Sequence, residues 1–239
     1  MVEITYARSV EAWQGYVPFL KELIERNHVR NICEIGGGAS PALPIDWILA
    51  RRLRYTILDR SKDELDKAPV AYRKIVKDIC SRDLDISDRF DFVFSRMLAE
   101  HATDGQTFHK NVFHILSPGG LAFHFFPTLY APPFLANRLL PENLASLLLD
   151  LFHPRDRFKH DKFPAYYSWC RGPTRVQIKR LSALGYEVVA YKGFFGHEGY
   201  YEKIPVIKNV SAWISEFLTR YPLPVFTSYA YVILKKRAT

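Results

Sequence analysis

The run Glu34-Ile35-Gly36-Gly37-Gly38-Ala39-Ser40 stands between a short apolar stretch and a proline, in the order NICEIGGGASP. Glycines at such a place let a backbone turn approach a ligand closely. A helix start just beyond offers free N–H groups to an anionic or polar partner. The next apolar run, YTILDR, ends on Asp59. A carboxylate at the end of the following strand accepts hydrogen bonds from ribose hydroxyls. Glycine turn and spaced acid together point to a nucleoside-containing cofactor on a Rossmann-like sheet.

Two cofactor classes fit that description. A pyrophosphate resting on the helix end wants a third glycine where Pro41 stands. Glu34, an acid inside the first strand, instead suits a cofactor that carries a positive amino group. Four side chains could serve as a general base for an acceptor of high pKa: His101, His124, His197 and Glu198. His124 lies inside an apolar strand and reads as a packed residue. His197 lies in the glycine-flanked loop GFFGHEGYY, where a connection can reach an acceptor.

These residues resemble the class I S-adenosylmethionine-dependent methyltransferases of the small-molecule, type 11-like branch. The resemblance rests on EIGGGAS, LDR, KDI, FDFVFSRMLAEHATD and LSPGGLAFHFF. It covers roughly residues 30–127, and the last two strands by pattern only; Ser40 stands where the family usually has glycine. The resemblance implies that Glu34, Gly36, Gly37 and Gly38 line the methionine end of S-adenosylmethionine. By the same likeness Asp59 holds the ribose hydroxyls and Arg60 flanks the adenine. Asp78 and Ile79 would lie at the adenine, and Ser95, Arg96 and Met97 would border the sulfonium. His101 occupies the histidine of an EH pair, and His101 and His197 are the candidate catalytic residues.

Several acceptor classes are disfavoured. No Asn/Asp-Pro-Pro-Tyr follows the fourth strand, where Ser95-Arg96-Met97-Leu98 stands instead. No cysteine follows a proline there, and no second glutamate builds a paired-acid loop. The remaining acceptors are a small molecule, a saccharide or a lipid, with an oxygen of a small molecule or glycolipid favoured. An NAD(P)- or nucleotide-sugar-dependent enzyme and a non-catalytic RNA-binding protein on the same fold are the competing readings.

The elements that must position these residues follow from periodicity. Trp13, Val17, Leu20 and Ile24 recur at helical spacing over 9–30. Strands are expected at 31–35, 55–60, 73–79, 90–95 and 121–126, with helices at 41–53, 61–68 and 104–116; the stop signal SPGG follows the last of these. After a break come a helix at 173–185, a strand at 186–194, a helix around Val210–Leu218 and a final strand at 226–236. The rhythm β-α-β-α-β-β-α-β suits right-handed parallel crossovers. The expected fold is α/β, a Rossmann-like doubly wound sheet; the resemblance adds seven strands, mostly parallel, with an antiparallel last strand.

The chain reads as one domain over 1–239: a helical segment at 1–30, a cofactor-binding core at 31–126, an acceptor lid inserted at 127–171 and the rest of the sheet at 172–239. The lid breaks the rhythm with Pro127, Pro132, Pro133, Pro141, Pro154 and Pro164. It carries Tyr130, Phe134, Phe163, Tyr166, Tyr167 and Trp169, the aromatic walls of a ligand pocket. Leu144, Leu147, Leu148, Leu151 and Phe152 form one helical face, followed by Arg155, Arg157, Lys159 and Lys162. An apolar helix beside basic residues can lie on an anionic membrane, so 133–162 is a candidate peripheral membrane contact.

Composition sets the outer bounds. The 239 residues, 48% hydrophobic and 24% charged, give a sizeable core and exclude disorder and coiled coil. Cys33, Cys80 and Cys170 share no close spacing; they form no disulfide framework or metal set and fit a reducing, cytoplasmic compartment. The first fifteen residues carry no apolar signal core, and no uninterrupted apolar run is long enough to span a bilayer. The net charge of +8 permits an anionic partner. The basic residues fall in short scattered groups, which reads as solvated faces rather than a nucleic-acid track.

Overall fold

The computed structural model describes residues 1–129, 164–197 and 205–238. Eight strands form one sheet: β1 (Glu3–Arg8), β2 (Asn31–Ile35), β3 (Arg54–Asp59), β4 (Arg73–Val76), β5 (Phe90–Arg96), β6 (Leu116–Pro127), β7 (Tyr186–Phe195) and β8 (Tyr229–Lys236). Their order is β1-β7-β8-β6-β5-β2-β3-β4. All pairings are parallel except those of β8 with β6 and β7. The described helices are α1 (Ser9–Arg26), α2 (Ile45–Ala50), α3 (Lys62–Lys67), α4 (Gly105–Ile115), α5 (Arg175–Ala183) and α6 (Pro205–Arg220).

The doubly wound sheet with an antiparallel last strand is as expected, with one strand more than seven. The extra strand is β1, which pairs parallel with β7 from Glu3↔Ala190 to Arg8↔Phe195. It is an edge strand with an exposed outer half, so its hydrophobic signal is weak. Helix α2 is shorter than the expected 41–53. Pro44 is its N-cap and disfavours helical backbone at Leu43, which is buried in the core instead. Residues 37–44 are thereby left to wrap the glycine turn.

Helix α4 is capped by Asp104, which accepts from Gln106 N at 2.9 Å and Thr107 N at 3.3 Å. It stops at Ile115, and the chain enters the sheet at once. Phe90 pairs with Leu116 and Phe92 with Leu121, so SPGG is extruded as an irregularity inside β6. The core is strongly aromatic: Phe92, Phe94, Phe123 and Phe125 are fully buried along β5 and β6. Tyr16 of α1 stacks on Phe123, and Tyr231 sits edge-on to Phe123, Phe125 and Phe194.

β2 is the pivot of the winding. Its neighbours β3 and β4 lie on one side, and β5 and β6 on the other. The crevice beyond the carboxyl end of such a switch strand is where open α/β sheets bind ligands. The leucine-rich helix, Tyr130, Phe134, Phe163, the basic group at 155–162 and Glu198 lie outside the described residues.

Candidate functional site

The parallel register brings the carboxyl ends of β2, β3, β4 and β5 to one edge. The glycine turn leaves β2 there. Gly36 and Gly38 have φ of +75° and +40°, a region that L side chains rarely adopt. Gly36 N donates to Leu58 O at 2.8 Å, which ties the turn to β3. A Cβ on Gly36 would overlap the side chain of Leu98, and one on Gly37 would lie 2.7 Å from the Glu34 carboxyl carbon. A Cβ on Gly38 would stand 3.3 Å from Asp59 Oδ2. The turn therefore nests between Leu98, Glu34 and Asp59 at a spacing only glycine permits.

Glu34 braces the turn from below. Its two carboxylate oxygens accept from Ala42 N, both at 3.1 Å, and Tyr55 donates its hydroxyl to Oε2. Burial pushes the Glu34 carboxyl up to about 7, against the opposing effects of the Tyr55 and Ala42 hydrogen bonds and the Arg96 charge. The Arg96 guanidinium lies 5.5 Å from the centre of the Tyr16 ring. An acid that changes charge near neutrality thus underlies the expected methionine end of the turn.

Asp59 closes β3 and accepts from Ser61 N at 2.9 Å through Oδ1. Ser61 in turn caps α3 by accepting from Glu64 N. Oδ2 of Asp59 is the oxygen nearest Gly38. Arg60 is the exposed residue that follows. Asp78, beyond β4, accepts from Cys80 N at 2.8 Å, and Ile79 beside it is buried. Among the described residues, Glu34, the three glycines, Asp59, Arg60, Asp78 and Ile79 are thus gathered at the carboxyl edge of β2–β4.

Ser95 and Arg96 part company at the end of β5. Ser95 is fully buried, and its hydroxyl meets His124 Nδ1 at 2.8 Å in the layer under α4. Arg96 points to the opposite face, toward Tyr16 and Glu34. Met97 follows with φ +51° and donates its N–H to Phe125 O at 2.8 Å. His124 is the packed residue expected. Burial, with His109 beside it, drives its pKa well below the usual value, so it stays neutral.

The two candidate bases lie at the same edge on different connections. His101 Nδ1 lies 2.9 Å from Pro164 O, and its Nε2 is 3.8 Å from Glu100 Oε1. His197 Nδ1 lies 3.2 Å from Ser228 Oγ. The end of the expected lid is folded down beside His101: Tyr166 N and Tyr167 N both donate to Glu100 O, at 2.7 and 3.0 Å. Tyr167 and Trp169 hold φ of +50° and +63°, strained for bulky residues. Tyr167 is buried and Trp169 leans on His109, so of the three described lid aromatics Tyr166 is the exposed one.

Three participants were not among the candidate site residues. Leu98 faces Gly36, Tyr55 holds Glu34, and Glu100 is a buried carboxyl whose Oε2 has no hydrogen-bond partner. Burial raises Glu100 to about 8. Tyr55 reads from sequence as one more strand aromatic, and its partner emerges only from the β2–β3 register.

Comparison with known proteins bears on the fold and on the core of the chain. Residues 34–124 match the methyltransferase domain family model. No curated protein sequence matches the chain. Among solved structures, an S-adenosylmethionine-dependent methyltransferase from Clostridium acetobutylicum aligns with a TM-score of 0.57 at 12% identity, covering 94% of this chain and 92% of that one. An N-methyltransferase from Bradyrhizobium japonicum in complex with S-adenosyl-L-homocysteine aligns with a TM-score of 0.52 at 13% identity, covering 93% and 86%. The [4+2]-cyclase SpnF aligns with a TM-score of 0.54 at 12% identity, covering 95% and 82%. At such identities the likeness is one of fold, and a cyclase among the neighbours shows that the fold alone does not name a reaction. Residues 34–124 thus match a methyltransferase domain family model, and the chain as a whole shares the fold of S-adenosylmethionine-dependent methyltransferases.

Proposed function

We propose that the chain transfers the methyl group of S-adenosylmethionine to an oxygen of a small-molecule, saccharide or glycolipid acceptor. The observation that supports this most directly is the packing of the Gly36–Gly38 turn between the Glu34 carboxylate and Asp59 Oδ2. The residues present suit the cofactor: a backbone cradle without Cβ atoms, an acid beneath it for an ammonium group, and an acid beside it for ribose hydroxyls. Pro41, where a pyrophosphate site would want glycine, and the braced Glu34 both favour this cofactor over a dinucleotide.

When bound, S-adenosylmethionine supplies a methyl group already activated on a sulfonium. The chain's own task is then largely to hold and align. Asp59 would accept from the ribose hydroxyls, Arg60 would flank the adenine, and Asp78 and Ile79 would lie at its edge. Glu34 fixes the turn that would receive the methionine end, and the 95–97 backbone would border the sulfonium. Alignment and desolvation supply up to about 7–11 kcal/mol in such reactions. For a hydroxyl acceptor, His101 or His197 would take the hydroxyl proton, the methyl–sulfur bond breaking as the oxygen–methyl bond forms and S-adenosylhomocysteine leaving. The segment 127–171 is the acceptor lid of this reading.

The test is methyl transfer from labelled S-adenosylmethionine to a panel of saccharides, phenols, amines and lipids. Transfer to hydroxyl acceptors that drops about 100-fold or more in His101→Ala or His197→Ala supports the reading and names the base. Transfer confined to amines overturns the oxygen assignment and keeps the methyltransferase.

A further inference from the structure

Helix α6 is built inside out for a helix on a sheet. Its buried residues are two serines, Ser211 and Ser215. Ser215 Oγ donates to Ser211 O at 2.7 Å. The Gly196 backbone approaches closely here, since a Cβ on it would stand 3.0 Å from Ser215 Oγ and 3.2 Å from Ser9 Oγ. The apolar face points the other way. Val206, Val210, Trp213, Phe217 and Tyr221 recur at helical spacing along the open side, with Trp213 69% exposed, Phe217 49% and Tyr221 57%. Their rings form a ladder: Trp213 stacks on Phe217 at 6.2 Å, and Phe217 meets Tyr221 at 5.1 Å. A soluble monomer rarely leaves such a contiguous stripe in water.

The placement of the stripe is as informative as its composition. β8 runs antiparallel to β7, with Phe194 opposite Tyr229, so β7 ends and β8 begins at one edge of the sheet. That is the edge to which the glycine turn belongs, and α6 is the connection that lies there. Trp13, half exposed near the start of α1, and Phe226, half exposed beyond α6, add to the same rim. The helix carries Lys208 and Arg220 against one acid, Glu216, and the Arg220 guanidinium lies 5.9 Å from the centre of the Tyr221 ring. The whole chain carries +8. A second copy would bring the same positive charge to the contact. An anionic bilayer brings the opposite charge and an apolar layer beneath it. Tryptophan and tyrosine are the side chains that settle at headgroup depth.

We propose that the α6 rim is a docking surface for an anionic lipid membrane, laid down so that the carboxyl edge of the sheet faces the bilayer. The contact rests on α6 itself and requires neither the 133–162 segment nor any particular acceptor. It is tested by sedimenting the full chain with phosphatidylcholine vesicles, with and without about 30% phosphatidylglycerol. The expected result is binding to the anionic vesicles that weakens as salt rises from about 0.1 to about 0.5 M. Replacing Trp213, Phe217 and Tyr221 by serine should lower that binding about tenfold or more. Far-ultraviolet circular dichroism and S-adenosylhomocysteine titration should be unchanged in this variant, since the three rings are exposed. Three results would overturn the proposal: vesicle binding that survives the triple substitution, absence of vesicle binding in a monomer, or a concentration-dependent dimer that the substitutions dissolve.

Discussion

On the proposed reading, Glu34 is the buried acid beside the cofactor turn, and its charge state bears on binding there. In the folded chain burial raises its pKa to about 7, above an unfolded value near 4.5. An ammonium group brought to the turn favours the ionised form. Cofactor binding at low pH must then expel a proton, and S-adenosylhomocysteine affinity should rise between about pH 6 and 8. Glu34→Gln should weaken binding and flatten that rise; an unchanged slope would show that another group titrates. Glu100 gives a second linkage. Its folded pKa of about 8 also lies above the unfolded value, so the native state holds an extra proton between about pH 4.5 and 8. Stability from this group falls as pH rises through that window. Thermal melts should therefore show Glu100→Gln gaining on the parent protein as pH goes from 6 to 8. Gly37→Ala would drive a methyl group into the Glu34 carboxyl, and calorimetry should find cofactor affinity lost together with about 1–3 kcal/mol of stability.

At the scale of elements, the turn works because its neighbours are fixed to it. Pro44 ends one conformation and starts another, so residues 37–44 wrap the site and Ala42 N is free to reach Glu34. The strands and the glycine turn were legible from composition and spacing, because apolar runs punctuated by glycine and proline have few alternatives. Four things were not legible. β1 is an exposed edge strand whose place depends on β7. Helix α2 is trimmed by the restriction that Pro44 puts on Leu43. Tyr55 and Leu98 join the site only through register and packing. Ser95, expected to border the sulfonium, spends its hydroxyl on His124, because consecutive strand residues face opposite layers. The 164–172 segment is pinned by similar tertiary detail: a Cβ on Gly105 would collide with the Ser168 carbonyl and lie 2.7 Å from Trp169 Cβ. Gly105→Ala should therefore cost about 1–3 kcal/mol in chemical unfolding. It should also loosen the segment, seen as faster amide exchange at Tyr166 and Tyr167, whose N–H groups now bind Glu100 O.

At the scale of the molecule, one edge of the sheet concentrates the glycine turn, the two acids, both candidate histidines and the α6 stripe. The opposite ends of the strands carry connections without these groups. Among the described residues no helix is long and apolar enough to cross a membrane. On the proposed reading the carboxyl edge of β2 and β3 binds the nucleoside of S-adenosylmethionine, with Asp59 on the ribose. Calorimetric titration of the purified chain with S-adenosylhomocysteine, with NAD and NADP in parallel, tests it most directly. The expected dissociation constant for S-adenosylhomocysteine is about 1–100 μM, about −8 to −5.5 kcal/mol. Asp59→Ala should lose at least about tenfold, about 1.4 kcal/mol, with NAD and NADP silent throughout. No binding of S-adenosylhomocysteine at millimolar concentration, or tighter binding of NAD, would contradict the account.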